Sequence, residues 1–304
     1  HTHRFSGDWK VNLQNLPKES RLRHALVAPK GKLVVSVDAS QIEARINATL
    51  AGQHDLVDSF RNDVDVYSQF AGELYGYPVD KSKRVERFVG KTSILSLGYG
   101  ASWPVFQNMC RVKGDVTLQD REAQTMVQHY RNRYSRIAAN WKMAESQILH
   151  AVSQGYEMQW GPVKTEKYAI LLPNGNRLYY PDLKRIYRAD LHGKNLAKAP
   201  SLSWAFQRGA APQAIYGAKL VENVVQALAF VHIMAVAIRI KAKTDGRFLP
   251  AHQVHDELIY VVDENVAEPL MQLVVNEMST PPEWMPDLPV AAEGSIGSSY
   301  GEAH

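Results

Sequence analysis

The stretch "KLVVSVDASQIEARINATLAG", residues 32 to 52, decides the fold. Its first half is an apolar strand signal that runs into Asp38, and its second carries Ile42, Ile46 and Leu50 at helical spacing. Ser40 is expected as the helix N-cap and Gly52 as its C-terminal stop. An acid therefore sits where a strand ends and a helix begins.

A second acidic strand signal lies near the other end, "AHQVHDELIYVV", residues 251 to 262. Apolar Val254, Leu258, Tyr260 and Val262 surround His255, Asp256 and Glu257. A carboxylate buried in a strand is costly unless a cation or hydrogen bonds satisfy it. The plain alternative is a polar hairpin tip.

Between these two signals the chain reads as helical from 55 to 155, followed by a hairpin "AILLPNGNRLYYP" whose turn is Asn174 and Gly175. Residues 182 to 214 are mixed. A long helix over about 215–243, the acidic strand pair, a helix over about Asn265 to Met278 and a final strand "VAAEGSIG" complete the chain. Strands bearing acids flank a helical middle, which predicts an α+β fold: an antiparallel core sheet built from both ends, with a helical insertion.

With 304 residues, 45% of them apolar, the chain has material for a substantial core. Thirty-five Lys and Arg against 31 Asp and Glu leave a net charge of +4, which permits a polyanionic partner without demanding one. The single cysteine, Cys110, excludes an internal disulfide and suits a reducing compartment, where it serves as a small packing residue. The start shows no signal-peptide architecture. The longest apolar run, Val224 to Ile238, is broken by Gln226 and His232; it reads as too short and too polar to span a bilayer and better suits a buried helix.

Three segments carry chemistry. In "KSKRVERFVGKTSILSLGYGAS", residues four apart place Arg87, Lys91, Leu95 and Tyr99 on one stripe. Two cations, an apolar plate and an aromatic ring suit a phosphate tail at one end and a flat base at the other. The alternative is a solvated basic face with Leu95 and Tyr99 turned to the core. Asp38 alone reads as a cap or turn residue. If Asp38 and Asp256 meet on adjacent strands, their repulsion raises one pKa unless a divalent cation is bound. Oxygen-only donors suit magnesium or manganese, and two such ions about 3.5 to 4 Å apart promote in-line phosphoryl displacement.

In this order the segments resemble the polymerase motifs of family A DNA polymerases, the polymerase I group: "VDASQIEAR" is similar to motif A, "RFVGKTSILSLGYG" to motif B and "QVHDE" to motif C. The resemblance extends to "THRFSGDWKVNLQNLP", "NGNRLYYPDL" and the terminal "EGSIGSSYGEAH", while "YGAKLVENVVQALA" is most similar to the phage-type branch. It implies a palm formed by 1–54 and 206–304 with fingers at 55–205, and no thumb or exonuclease domain. It also implies two-metal-ion transfer of deoxynucleotides from their triphosphates to the primer strand of primer-template DNA.

Carried over residue by residue, Asp38 and Asp256 would hold two Mg2+ ions (Mn2+ as a substitute), with the Ala39 carbonyl as a further ligand and Glu257 secondary. Glu43 would reject a 2′-hydroxyl. Arg87 and Lys91 would grip the triphosphate, Lys91 also protonating pyrophosphate. Gln41 would support the nucleotide, and Tyr99 and Gly100 would border the nascent pair. Arg4, Asn12, Gln14, Asn15, Gln226, Gln253 and His255 would touch the duplex, largely independently of sequence.

Departures from the family pattern carry expectations of their own. Leu95 stands where the family usually has Phe or Tyr, which implies poor use of dideoxynucleotides and a gain on Leu95→Tyr. Tyr67 replaces a common phosphate-binding His and offers a hydroxyl contact or none. A palm and fingers without a thumb would be a fragment, or a subunit of a split polymerase whose second chain supplies the thumb. The expected location is the cytoplasm, that of a bacterial host if the source is a phage. Two other readings remain: a single-subunit RNA polymerase, which Glu43 opposes, and a non-catalytic DNA-binding fragment, which has no need of Asp38, Asp256, Arg87 and Lys91 together.

Overall fold

The computed structural model describes residues 12–16, 20–187 and 202–303, apart from the side chain of residue 15. Arg4 lies outside the described residues. The chain divides into two compact units, one formed by His1–Glu43 with Gln226–His304 and the other by Ala44–Val225.

The first unit is built on the two acidic strand signals. After α1 (Arg21–Ala25), β1 (Lys32–Ala39) pairs antiparallel with β10 (Glu257–Asp263) on one side and β11 (Ala292–Gly297) on the other. A short β9 (His252–Val254) completes a four-stranded sheet of order β11-β1-β10-β9. Alternation along β1 separates two faces. Val35 and Val37 are fully buried, and α11 (Glu264–Met278) packs on their side of the sheet. The approach is close there: a Cβ on Gly294, which pairs with Val37, would lie 2.6 Å from the Met271 side chain. Val34, Ser36 and Asp38 occupy the other face, where Val34 joins a small core with Val254, Ile259, Tyr300 and Ala303.

The second unit holds the helices. The helix α2 (Ile42–Ala51) leads into it from the first unit, followed by α3 (His54–Arg61), α4 (Val66–Tyr75) and α5 (Arg84–Thr92). A π-helical turn, Ser93–Leu97, continues α5 without a break. Then come α6 (Trp103–Gly114), α7 (Asp120–Arg133), and α8 (Ser135–Met143) joined through a second π turn to α9 (Leu149–Gln154). Their apolar faces meet around Phe60, Phe70, Phe106, Tyr130 and Tyr134, with Phe70 stacked on Tyr134 at 5.6 Å. Gly90 lets α5 approach α4: a Cβ there would stand 2.2 Å from the Tyr67 carbonyl oxygen.

Two small antiparallel sheets follow: β2 (Gln159–Trp160), β3 (Val163–Glu166), β4 (Ala169–Leu171) and β5 (Arg177–Tyr179), then β6 (Lys184–Tyr187), β7 (Leu202–Arg208) and β8 (Ala211–Ile215). The expected β4–β5 hairpin is present, with Gly175 at φ +82° and the Asn176 amide bonded to the Asn174 side chain. β2 and β3 escape sequence reading because they are too short to show a period. The described residues of the segment that sequence left mixed contribute three strands.

The long helix α10 (Gly217–Lys243) crosses from the second unit into the first. It outruns the fifteen-residue apolar stretch and is, by length and composition only, long and apolar enough to cross a bilayer. That corrects the reading of the run as too short. The expectation of a core helix holds, since 67% of its most apolar window is buried within the chain. A second difference concerns Ser40: α2 starts at Ile42, so the flanking residue is Gln41, held at φ +51°.

Candidate active site

In the first unit, backbone pairing brings the two motif acids together. Asp38, next to the last residue of β1, lies directly opposite Glu257, the first residue of β10, and the Ala39 amide donates to the Asp256 carbonyl at 3.0 Å. Residues facing each other in an antiparallel pair project from the same face, so the Asp38 and Glu257 side chains share one, and like charges so placed repel. Glu257 is 3% exposed, which rules out the plain hairpin-tip reading for it. Its carboxylate accepts from Ser36 Oγ and from Tyr300 Oη, the latter at 2.8 Å. The Tyr300 ring lies under the Arg23 guanidinium, 4.6 Å from its centroid, and Arg23 Nε donates to the Leu16 carbonyl. Burial, followed by the Glu257 charge, holds the Tyr300 phenol well above its ordinary range. It stays protonated as a donor.

The hairpin that carries Asp256 is tight. Val254 pairs with Glu257, which leaves His255 and Asp256 as a two-residue turn with His255 at φ +52°. Left-handed backbone is uncommon for residues with a side chain and suits the first position of such hairpins. Gln14, from a 3-10 turn at Leu13–Asn15, clamps it: Nε2 donates to the Gln253 carbonyl at 2.7 Å, and Oε1 accepts from the His255 amide at 3.4 Å. Asn12 caps the same turn by accepting from the Gln14 amide. Three residues expected at the duplex, Gln14, Gln253 and His255, are thus bonded to one another. Gln41 precedes α2, Glu43 lies in its first turn, and Gln226 is half-buried on α10.

In the second unit the expected stripe faces outward. Lys91 and Leu95 are exposed, Leu95 by 40%, and Arg87, Tyr99 and Gly100 are half-buried, whereas Val89, Ile94 and Leu97 are core. That overturns the alternative with Leu95 turned inward. Arg87 Nε donates to Asp65 at 2.7 Å, and its guanidinium lies 5.5 Å from the centroid of the Tyr67 ring, which is 6% exposed. Asp65 also caps α4 through the Tyr67 and Ser68 amides. Burial raises the Asp65 pKa, but hydrogen bonds from Arg87 and Ser68 and the Arg87 charge outweigh it and bring it below the ordinary value. The far end of the stripe is pinned at the Gly98 carbonyl, which accepts from Asn47 Nδ2 and Trp141 Nε1, both at 3.0 Å.

Beside Gly100 opens a cleft of about 510 Å³ lined by Gln128, Arg131, Trp141, Lys142 and Tyr216 among others, with no acidic residue in its wall. Cations and aromatic rings without acids form the surface chemistry of a single-strand binder. Sequence reading missed this cleft, and it missed Ser36, Asp65, Asn47 and Tyr300. Ser36 was within reach, two residues before Asp38 on a strand and therefore on its face. Asn223, by contrast, is 3% exposed and donates to Tyr180 Oη at 3.1 Å. It is a core residue.

Known proteins share this architecture. Over 302 residues the chain is 29% identical to DNA polymerase I of Pseudomonas aeruginosa, covering 96% of this chain and 28% of that protein. Over 290 residues it is 27% identical to the DNA polymerase of Bacillus phage SP02, covering 92% and 43%. The POL domain of Pol1 from M. smegmatis, solved in complex with DNA primer-template and dNTP, superposes with a TM-score of 0.67 at 23% identity over 96% of this chain and 45% of that one. The chain spans less than half the length of each. The model of DNA polymerase family A matches residues 2–161, more than half of the 304, and the chain belongs to that family.

Proposed function

We propose that this chain catalyses template-directed DNA synthesis, adding deoxynucleotides to a primer 3′ end, with the first unit as palm and the second as fingers. One observation carries the reading: Asp38, next to the last residue of β1, and Asp256, in the tight turn that enters β10, are brought together by the Ala39–Asp256 backbone hydrogen bond. A paired strand and a two-residue turn bonded to Gln14 hold carboxylates more rigidly than a long loop does.

The donor set fits a hard divalent cation. Among the described residues no group of three or more His, Cys, Asp or Glu side chains gathers to hold a metal. Magnesium commonly binds through one or two carboxylates and completes its shell with water and substrate phosphates. Asp38 and Asp256 would hold Mg2+, with the Ala39 carbonyl beside them and Mn2+ as a substitute. When bound, the ions supply activation of the attacking oxygen and stabilisation of the leaving one.

The other roles fall to the chain's own side chains. Arg87 and Lys91 bind and orient the triphosphate, and Lys91 gives a proton to the departing pyrophosphate. Arg87 enters the task already oriented by Asp65. Glu43 and Gln41 position the sugar and base, Tyr99 and Gly100 border the new pair, and the acid-free cleft accepts the unpaired template strand. Gln226 and the hairpin near His255 lie along the duplex. DNA synthesis belongs where the template is, in the cytoplasm of a bacterial cell or of a phage's host.

Primer extension with Mg2+ by the unmodified chain, set against Asp256→Ala, tests the proposal. Extension by the first and not the second is the expected result; equal extension by both removes it. Ribonucleotides used as well as deoxynucleotides would transfer the reading to RNA synthesis.

A further inference from the structure

The proposed roles leave Glu257 only half explained. It is a nearly fully buried carboxylate on the face of Asp38, and both of its oxygens are engaged by hydroxyls from different parts of the chain. Ser36 comes from β1 itself, and Tyr300 from the segment after β11. Tyr300 and Ser36 are 4% exposed, and Arg23, at 6%, covers one face of the Tyr300 ring. A carboxylate has two lone pairs on each oxygen, so donors at both oxygens fix its plane and its rotamer while leaving its charge in place.

That charge faces Asp38 across the strand pair. Without a cation, such a facing pair only destabilises the sheet, and a chain that needed only stability would do better with an apolar residue here. With a cation on Asp38 and Asp256, a third negative charge fixed beside them deepens the electrostatic well. Partners outside the ligand shell of a metal act in this way, through orientation and charge.

We propose that Tyr300 and Ser36 are positioning residues that lock Glu257 as a fixed negative charge beside the Asp38–Asp256 cation site, with Arg23 seating the Tyr300 ring. Glu257 then acts on the metal through its field and not as an interchangeable third ligand. The inference rests on the polymerase reading for the purpose of the cation, but its test does not pass through polymerisation.

The test is Mn2+ binding to the full chain, followed by the relaxation of water protons, with Mn2+ alone as the probe. Glu257→Gln removes the charge, Tyr300→Phe keeps the ring under Arg23 but removes the donor, and Ser36→Ala and Ser36→Thr remove and retain the second hydroxyl. The expected result is about tenfold weaker Mn2+ binding for Glu257→Gln and about three- to tenfold for Tyr300→Phe and Ser36→Ala, the lower range of outer-partner effects. Ser36→Thr retains wild-type binding.

A role in packing alone would not predict the decisive result: adding Tyr300→Phe to Glu257→Gln costs no further Mn2+ affinity, since the hydroxyl has no charge left to hold. Unchanged or tighter binding in Tyr300→Phe overturns the proposal, as does full additivity in the double variant or a failure of the unmodified chain to bind Mn2+. If Tyr300→Phe does not fold, the Ser36→Ala and Ser36→Thr pair decides, and equal binding by those two counts against it. A chain that shows the expected Mn2+ pattern and extends no primer keeps this inference while losing the polymerase reading.

Discussion

The acidic and the cationic halves of the proposed site are held by opposite devices. Asp38 and Asp256 have short side chains, one near the end of β1 and the other in the tight turn before β10, and the two backbone segments are bonded to each other. Arg87 and Lys91 sit on long side chains along a helix, partly or fully in solvent, fixed mainly at the Asp65 end and the Gly98 end. Metal coordination tolerates only a few tenths of an ångström, and a paired sheet supplies that. A triphosphate is a diffuse charge that long side chains can follow. The comparison separates a half that should fail abruptly when altered from one that should weaken in steps.

The largest effect is therefore expected in the acidic half. Asp256→Ala should lower primer extension by about a thousandfold or more, since it removes part of the electrostatic stabilisation of the transferring phosphoryl group. The fold should survive, because the turn is held by backbone pairing and by Gln14 and not by the Asp256 carboxylate. Extension assays beside a circular-dichroism melt check both halves of the statement. A loss of less than about tenfold would show that the acids are not the rigid half.

In the cationic half, Lys91→Ala should cost about a hundredfold in kcat, the scale of a lost general acid. Arg87→Ala should act more on KM for the nucleotide, because it removes binding charge in the ground state as well. Steady-state kinetics on single-nucleotide addition separates the two. Equal effects on kcat from both would mean that the stripe acts as one rigid unit, like the acids.

Much of this was legible because each half follows a local period. The strand into Asp38 was readable from its apolar run and the Arg87–Tyr99 stripe from four-residue spacing. What escaped depends on contacts between distant segments, as with Tyr300 on Glu257 or Asp65 on Arg87, or on a departure from the regular period. The π turn at Ser93–Leu97 is such a departure, inserted where the sequence shows an unbroken helix. The start of α2 was misjudged for a related reason: Ser40 has a good capping side chain, but the strand runs on through Ala39 and Gln41 makes the left-handed turn into the helix.

The position of the stripe also depends on how closely α5 lies on α4. Gly90→Ala places a methyl group against the Tyr67 carbonyl oxygen, where 2.2 Å of separation leaves no room. Either the helices part or the backbone strains, at a cost of about 1–3 kcal/mol. Thermal and urea melts should show a lower midpoint, and nucleotide binding should weaken with it because Arg87 and Lys91 move with α5. A midpoint unchanged within error would show that α5 can shift freely, and the cationic half would then be looser than its pinned ends suggest.

The smallest effect concerns the tether of Arg87. The Asp65 pKa lies below its ordinary 3.8 in the folded chain, raised by burial but lowered further by the hydrogen bonds and the Arg87 charge. A carboxyl depressed by folding adds stability that is complete above its unfolded pKa and is lost as pH falls through the folded one. The Asp65–Arg87 contribution is thus intact at neutral pH and is lost as pH falls below the ordinary value of 3.8 and through the lower folded one. Asp65→Asn keeps a capping side chain for α4 but loses the charge, so at pH 7 it should be about 1 kcal/mol less stable. The difference from wild type should shrink to nothing on acidification. Urea melts at pH 7 and near the acid limit measure both. A gap that persists in acid would place the Asp65 contribution in capping alone and not in its pairing with Arg87.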